Sequence, residues 1–191
     1  MKRGLVLGGG GIVGLGYHAG VLEALREFGA EPASSEIIVG TSAGAIVAGY
    51  LGAGFSPDRL YADAIGERPL PEHGRDREKL WQPLWTSTPD RIKRTAAALF
   101  VAGSSRGFWK PGLRGRVPGL RWSSFRVGLY SSEASRRRFQ ADLPQEWPRP
   151  DLYICAADLY TGRRAVFHQA GTPAATFPDA VLASISIPGF F

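Results

Sequence analysis

Apolar and glycine-rich positions follow one another in a repeated order near the start of the chain. The apolar run at residues 5–7 stops at the four glycines of residues 8–11, and apolar side chains at helical spacing follow up to Phe28. The same order recurs in the apolar run at residues 37–39, a short turn, and a helix of small residues over 45–51. Two consecutive strand-turn-helix units predict a parallel sheet covered by helices, and hence the α/β class.

The remaining pattern predicts further elements of both kinds. Helices are predicted over residues 57–65, from 87–90 to about 101, over 132–143 and over 178–185. Two strands, at residues 152–157 and 164–168, are predicted to form a hairpin. Residues 103–122 show no periodicity and are rich in glycine, arginine and aromatic residues, which predicts a loop.

Composition bounds the class of protein. The chain has 191 residues, the length of one domain, and its 44% hydrophobic and 21% charged content is typical of a globular protein. No apolar run approaches the roughly 18 residues that cross a bilayer, and the start lacks the cleavage site of a targeting peptide. The single cysteine, Cys155, excludes an internal disulfide and a multi-cysteine zinc site. We therefore expect no metal and a cytoplasmic location.

The positive charge of the chain is concentrated in one segment. The formal net charge is +6, but residues 75–126 alone hold twelve Lys and Arg against three Asp and Glu. Such a segment favours an anionic partner, and its interleaved tryptophans and arginines would suit either a membrane interface or single-stranded nucleic acid. A solvated basic loop is the simplest alternative.

The clearest chemical motif is the turn at residues 40–44, which reads Gly-Thr-Ser-Ala-Gly. It matches G-x-S-x-G between a predicted strand and a predicted helix, the context in which this motif forms a nucleophile elbow. Gly40 and Gly44 leave room for the sharp turn, and Ser42 is the candidate nucleophile. The N–H of Ala43, at the positive end of the helix, would face the charge that develops in the reaction.

The first glycine loop is the second candidate site. Unencumbered N–H groups around Gly9, Gly10 and Gly11 are suited to bind an anion, such as the oxyanion of an acyl-transfer reaction. The loop also spells G-x-G-x-x-G through Gly14, which keeps a dinucleotide site open as an alternative. A Rossmann unit would carry an acidic residue at the end of its second strand, where this chain has Gly-Thr-Ser.

Three blocks of the sequence, in this order, are similar to motifs of the patatin-like phospholipases, a family of serine lipid acyl hydrolases. Residues 7–14, with the helix that follows, resemble the oxyanion loop of the family, and residues 40–44 resemble its nucleophile elbow. Residues 183–191 resemble the segment that leads into its Asp-Gly-Gly or Asp-Gly-Ala motif. The resemblance implies one domain over residues 1–191, with a mostly parallel sheet covered by helices on both faces in three layers.

The resemblance also implies site roles. Ser42 would be the nucleophile of a Ser-Asp dyad, and the N–H groups around Gly9, Gly10 and Gly11 would form the oxyanion hole, with no cofactor. This chain departs from the family pattern at Val13, where an arginine or lysine is usual. The aspartate of the third motif does not occur before Phe191, so we expect the 191 residues to be a C-terminally truncated part of the enzyme that is inactive alone.

Other titratable residues are less favoured for catalysis. Asp158 is expected to form a turn, and Asp179 to compensate the dipole of a helix. Asp158 and His168 stay open as the acid and histidine of an alternative catalytic triad with the serine. His18 is expected to pack or cap near the first helix, and His73 to be exposed.

Taken together, the residues and the resemblance predict a serine hydrolase that cleaves acyl esters of lipids or phospholipids. Residues 75–126 would be a cap or surface insertion, with peripheral contact to an anionic membrane and no nucleic-acid partner. One alternative is a catalytically incomplete module that binds lipid surfaces. Another is a nucleotide-binding oxidoreductase of Rossmann type. The sequence does not predict an oligomeric state.

Overall fold

The chain forms a four-stranded sheet with helices packed against it. The computed structural model describes residues 3–70, 83–104, 128–158 and 163–187. In chain order its elements are β1 (Gly4–Leu7), α1 (Gly11–Glu27), a 3-10 turn (Pro32–Ser34), β2 (Ile37–Thr41), α2 (Ala43–Gly52), α3 (Pro57–Ala64), α4 (Thr88–Ser104), α5 (Glu133–Asp142), β3 (Leu152–Ala157), β4 (Arg164–Phe167) and α6 (Phe177–Ile185).

The strands lie in the order β1-β2-β3-β4. The first three are parallel, with Leu7 opposite Gly40 and Thr41 opposite Cys155. The fourth is antiparallel to β3, as expected for the predicted hairpin. The predicted α/β class and the mostly parallel sheet are therefore confirmed. Because β1 and β2 end side by side, the turns that follow them meet at one edge of the sheet.

The core lies between one face of this sheet and two helices, α2 and α6. Ile38 and Ile154 point to this face and are 1% and 0% exposed. Helix α2 is built almost entirely of small or apolar residues, and eight of its ten positions are buried, so it packs close to the strands. On the other face Val6 is 75% exposed, and a second helical layer there stays a prediction.

The predicted boundaries hold to within a few residues. Helix α4 continues to Ser104, beyond the predicted end near Val101. Helix α6 begins one residue early, at Phe177, because the Thr176 side chain caps it by accepting from the N–H of Asp179. The loop predicted at residues 103–122 lies, apart from its first two residues, outside the described part of the chain.

Residues 83–84, within the basic segment, pair with residues 129–130, which follow it. Pro83 pairs with Tyr130 in an antiparallel bridge, and the N–H of Leu84 donates to the carbonyl of Leu129 over 2.9 Å. Trp85 packs edge-on against Tyr130. The guanidinium of Arg91 lies 5.6 Å from the centre of the Trp85 ring. Within the described ranges, no helix is both long and apolar enough to cross a membrane.

Candidate active site

Ser42 occupies the sharp turn between β2 and α2. Its φ of 54° and ψ of −118° are a strained combination for a residue with a side chain. Its carbonyl accepts hydrogen bonds from the N–H groups of Ala45 and Ile46, at 2.9 and 3.2 Å, and so begins the helix. The side chain is half-buried and lines a pocket. This is the conformation and position that the G-x-S-x-G pattern predicts for an elbow.

The two glycines of the elbow are required by close backbone contacts. A Cβ on Gly44 would collide with the carbonyl of Leu7 and come within 2.7 Å of the carbonyl oxygen of Gly8. A Cβ on Gly40 would lie 2.7 Å from the carbonyl oxygen of Gly44 and 2.8 Å from the Cα of Ala45. Both positions therefore exclude any side chain. The absence of side chains lets α2 approach the end of β1.

The glycine loop passes directly beside Ser42. A Cβ on Gly9 would lie 3.6 Å from the Cβ of Ser42, and one on Gly10 would lie 2.7 Å from the Cα of Gly14. The carbonyl of Gly8 accepts two hydrogen bonds, from the N–H of Gly44 at 3.0 Å and from Nε2 of His18 at 2.8 Å. The loop is thus held against the elbow from two sides.

Three N–H groups at this junction are open to a ligand. Among the described residues, none accepts a hydrogen bond from the N–H of Gly9, Gly10 or Ala43. Ala43 is the first residue of α2, and Gly10 immediately precedes α1, so both N–H groups belong to helix N-termini. The predicted oxyanion residues Gly9, Gly10, Gly11 and Ala43 are accordingly brought together around Ser42.

A pocket of about 420 Å³ opens at Ser42. Its walls are mainly apolar side chains from α1, α2, α5 and the end of α6, among them Ile12, Val13, Leu15, Ile46, Phe139 and Ile185. Two of these, Ile12 and Val13, are 75% and 82% exposed, so the walls are apolar out to the solvent. A cleft of this kind suits an acyl chain, because the removal of apolar surface from water favours binding.

Arg138 is the charged side chain among the described residues that line this pocket. Its Nε donates to the hydroxyl of Tyr50 over 3.2 Å, and that hydroxyl donates to the carboxylate of Asp142 over 2.6 Å. Burial raises the pKa of Tyr50 well above its ordinary value. The phenol therefore stays protonated and links the two charged groups behind the pocket wall.

Ser184, near the end of α6, ties the elbow to the sheet. Its Oγ accepts a hydrogen bond from the N–H of Ser42 at 2.7 Å and donates one to the carbonyl of Cys155 at 2.6 Å. Ser184 lies in the third block that resembles the family, and the sequence carries no signal for its contact with the elbow, 142 positions away.

The other predicted candidates have separate partners. Asp179 caps α6 with Thr176 and accepts a hydrogen bond from Arg136 over 3.0 Å, which fits the expected dipole role. His168 stacks on Trp147 at 4.4 Å and lies 3.1 Å, through Nδ1, from the carbonyl oxygen of Leu152. None of these residues lines the pocket at Ser42.

Three further expectations can be placed against the structure. Asp158 directly follows β3, and its N–H donates to the carbonyl of Arg163 over 2.9 Å in the hairpin. His73 lies outside the described residues. In the ranges that the structure describes, no group of three or more His, Cys, Asp and Glu side chains could hold a metal ion.

The comparison with protein families defines the class. The family model of the patatin-like phospholipases matches residues 5–191, which is almost the whole chain. The chain therefore belongs to the patatin-like phospholipase family.

Solved structures that resemble the chain include two of the type III effector ExoU. One covers 99% of this chain at 20% identity, with a TM-score of 0.46. The other, ExoU in complex with SpcU from Pseudomonas aeruginosa, covers 98% at 22% identity, also with a TM-score of 0.46. The chain spans only 41% and 38% of the length of these proteins. No curated protein matches the chain.

Proposed function

We propose that this protein is a serine hydrolase that cleaves acyl esters of lipids, with Ser42 as its nucleophile. The observation that carries the proposal is the strained elbow serine, half-buried beside three N–H groups that no described residue uses. Such strain at a turn is characteristic of functional residues. The apolar pocket at the same serine supports a fatty acyl chain as the group transferred.

In the first half of the proposed reaction, Oγ of Ser42 attacks the ester carbonyl and its proton passes to a general base. The carbonyl electron pair moves to oxygen, and the N–H groups of Gly9, Gly10 and Ala43 bind the resulting oxyanion, with Gly11 completing the loop. Each such donor is worth on the order of 10²- to 10³-fold in rate. The intermediate then collapses, and the departing alcohol takes the proton from the base.

In the second half, water gives its proton to the same base and attacks the acyl group on Ser42, which releases a fatty acid and regenerates the serine. For the base we propose the aspartate of the Asp-Gly-Gly or Asp-Gly-Ala motif of the family. No Asp-Gly pair occurs in the 191 residues. Labelling, turnover and vesicle binding are measured on the full-length protein.

A fluorophosphonate probe tests the nucleophile, because it reacts only with an activated serine. Ser135 provides a matched control, since it lines the same pocket and is buried on α5. We expect Ser42→Ala to abolish labelling and turnover of short-chain nitrophenyl esters, and Ser135→Ala to retain both. Labelling that survives Ser42→Ala would contradict the proposal.

We further propose that residues 75–126 form a cap or surface insertion that meets anionic membrane. The pairing of Pro83 with Tyr130, on either side of most of the segment, and the excess of basic residues support this role. Co-sedimentation with phosphatidylglycerol vesicles, but not phosphatidylcholine vesicles, is expected and should weaken with salt. Replacing Arg114, Arg116 and Arg121 by Gln should reduce it, whereas the same change at Arg3, Arg137 and Arg164 should not.

The same measurements distinguish an ester hydrolase from a protein that binds lipid surfaces without catalysis. A full-length protein that binds anionic vesicles but shows neither probe labelling nor ester turnover would be a lipid-binding module on a hydrolase scaffold. Equal binding by both sets of arginine variants would assign the vesicle binding to the overall charge of the protein rather than to this segment.

A further inference from the structure

The hydroxyl of Ser184 lies between two backbone groups, one in the turn that follows β2 and the other in β3. It accepts from the N–H of Ser42 at 2.7 Å and donates to the carbonyl of Cys155 at 2.6 Å. A hydroxyl has one proton to donate, and here it is given to β3, which leaves an oxygen lone pair for the elbow. The two bonds together fix the position of this oxygen relative to the strands.

The N–H of Ser42 needs such a partner because of the conformation of the elbow. With φ at 54°, the chain leaves the direction of β2 at this residue, and 142 positions separate it from the serine that accepts its hydrogen bond. A strained turn persists only where its surroundings hold it in place. Ser184 hydrogen-bonds to Ser42 itself, whereas the glycine loop hydrogen-bonds to the elbow at Gly44.

We propose that Ser184 is a positioning residue for catalysis, an inference that rests on the proposed role of Ser42. By holding the peptide group between Thr41 and Ser42, it directs Oγ of Ser42 into the pocket and leaves the next N–H, that of Ala43, for the oxyanion. Ser184 acts through Ser42 and does not itself touch the substrate. Helix α6 is anchored independently by Phe177 and Val181, both 0% exposed, so the hydroxyl is not needed to dock the helix.

The chain offers a matched control two residues further on. The hydroxyl of Ser186, the residue that follows α6, donates to the carbonyl of Leu182 over 2.7 Å and so bonds back to its own helix end. Ser184→Ala and Ser186→Ala each remove one half-buried hydroxyl from the same helix end. A general effect on the helix end would therefore appear in both variants, and a positioning effect only in the first.

The test measures kcat and KM for a nitrophenyl ester, and the rate of fluorophosphonate labelling, on the full-length protein. We expect Ser184→Ala to lower kcat and the labelling rate by about 10- to 100-fold with KM nearly unchanged, because a small misplacement of a reacting atom costs about this much. Ser184→Thr keeps the hydroxyl and should recover most of the rate. Ser186→Ala should match the wild type.

Rates for Ser184→Ala equal to those of Ser186→Ala would overturn the proposal, as would failure of Ser184→Thr to rescue while it remains folded. If Ser184→Ala does not fold, Ser184→Cys replaces it, since a thiol fills the site and hydrogen-bonds weakly. Wild-type rates in Ser184→Cys would equally overturn it. Labelling that persists in Ser42→Ala would instead mark failure of the proposed nucleophile.

Discussion

The N–H of Gly44 donates to the carbonyl of Gly8 over 3.0 Å, and this bond joins the nucleophile turn to the glycine loop. Since His18 lies within hydrogen-bond distance of the same carbonyl, hydrogen bonds connect α1, the loop and the elbow. The spacing between Ser42 and the proposed oxyanion donors is therefore set by backbone groups. Substitutions that change the backbone at this junction should therefore strongly affect the stability of the fold or the labelling of Ser42.

Gly44→Ala should destabilise the protein by at least about 3 kcal/mol or prevent its folding, because the new Cβ would collide with the Leu7 carbonyl. Gly16→Ala is the control, since a Cβ at Gly16 in α1 meets no atom within 4 Å. That change should stabilise by up to about 1 kcal/mol through helix propensity. Urea unfolding of the three proteins measures both effects, and equal stabilities would refute the steric argument.

Ser42→Gly should raise the free energy of unfolding by about 0.5–1 kcal/mol while abolishing labelling, because glycine adopts a φ of 54° without strain. Ser42→Ala separates the two effects, since it removes the hydroxyl but keeps the Cβ and the strain. Thermal unfolding should place the glycine variant above both the alanine variant and the wild type. An alanine variant as stable as the glycine variant would show that the turn stores no strain.

Tyr50→Phe should lower the free energy of unfolding by about 1–3 kcal/mol, because Arg138 and Asp142 lose the hydroxyl that links them in a buried setting. Tyr17→Phe is the matched change at a side chain that is 67% exposed, and it should alter stability by less than about 0.5 kcal/mol. Chemical denaturation at pH 7 measures the difference between the two variants. Similar small losses in both would mean that water replaces the Tyr50 hydroxyl.

Asp151→Asn should show a stability loss that depends on pH. The side-chain hydrogen bonds from Arg149, both at 2.6 Å, hold the pKa of Asp151 below its ordinary value. The carboxylate therefore stabilises the fold above about pH 4, where it is also charged in the unfolded chain, and this contribution disappears as pH falls through the lowered pKa.

Urea unfolding should accordingly show the Asn variant less stable at pH 7, by no more than about 1 kcal/mol since both side chains reach water, and the difference should shrink as the pH falls through the lowered pKa. Glu36→Gln is the control, since Glu36 is exposed and follows Ser35, whose carbonyl also accepts from Arg149. Its effect on stability should not depend on pH in this way. A difference between Asp151→Asn and the wild type that is constant with pH would assign the effect to packing.

The local parts of the site could be predicted from the sequence, because each depends on residues close together in the chain. The elbow at Ser42 is specified by a serine between two glycines, and the loop at Gly9 by a run of four glycines, each between a strand and a helix. Their meeting also follows from the sequence, since adjacent parallel strands end at the same edge.

The long-range contacts could not be predicted in the same way. The Ser184 bond to the elbow joins residues 142 positions apart, and the wall that Arg138 and Phe139 contribute depends on how α5 packs. A short helix with charged residues predicts only its own exposed and buried sides, and not which pocket its buried side completes. The G-x-S-x-G motif predicts Ser42 as the candidate nucleophile, whereas the contacts that hold Ser42 in place are visible only in the structure.

The adjacency of Leu84 and Leu129 has an evolutionary consequence. Because the chain leaves and returns at one point, joined by a 2.9 Å hydrogen bond, residues between them can be lengthened, shortened or exchanged with little effect on the strands. Selection can thus act on this stretch and on the strained serine turn separately. Changes of length in this stretch are therefore expected to leave the geometry at Ser42 unaltered.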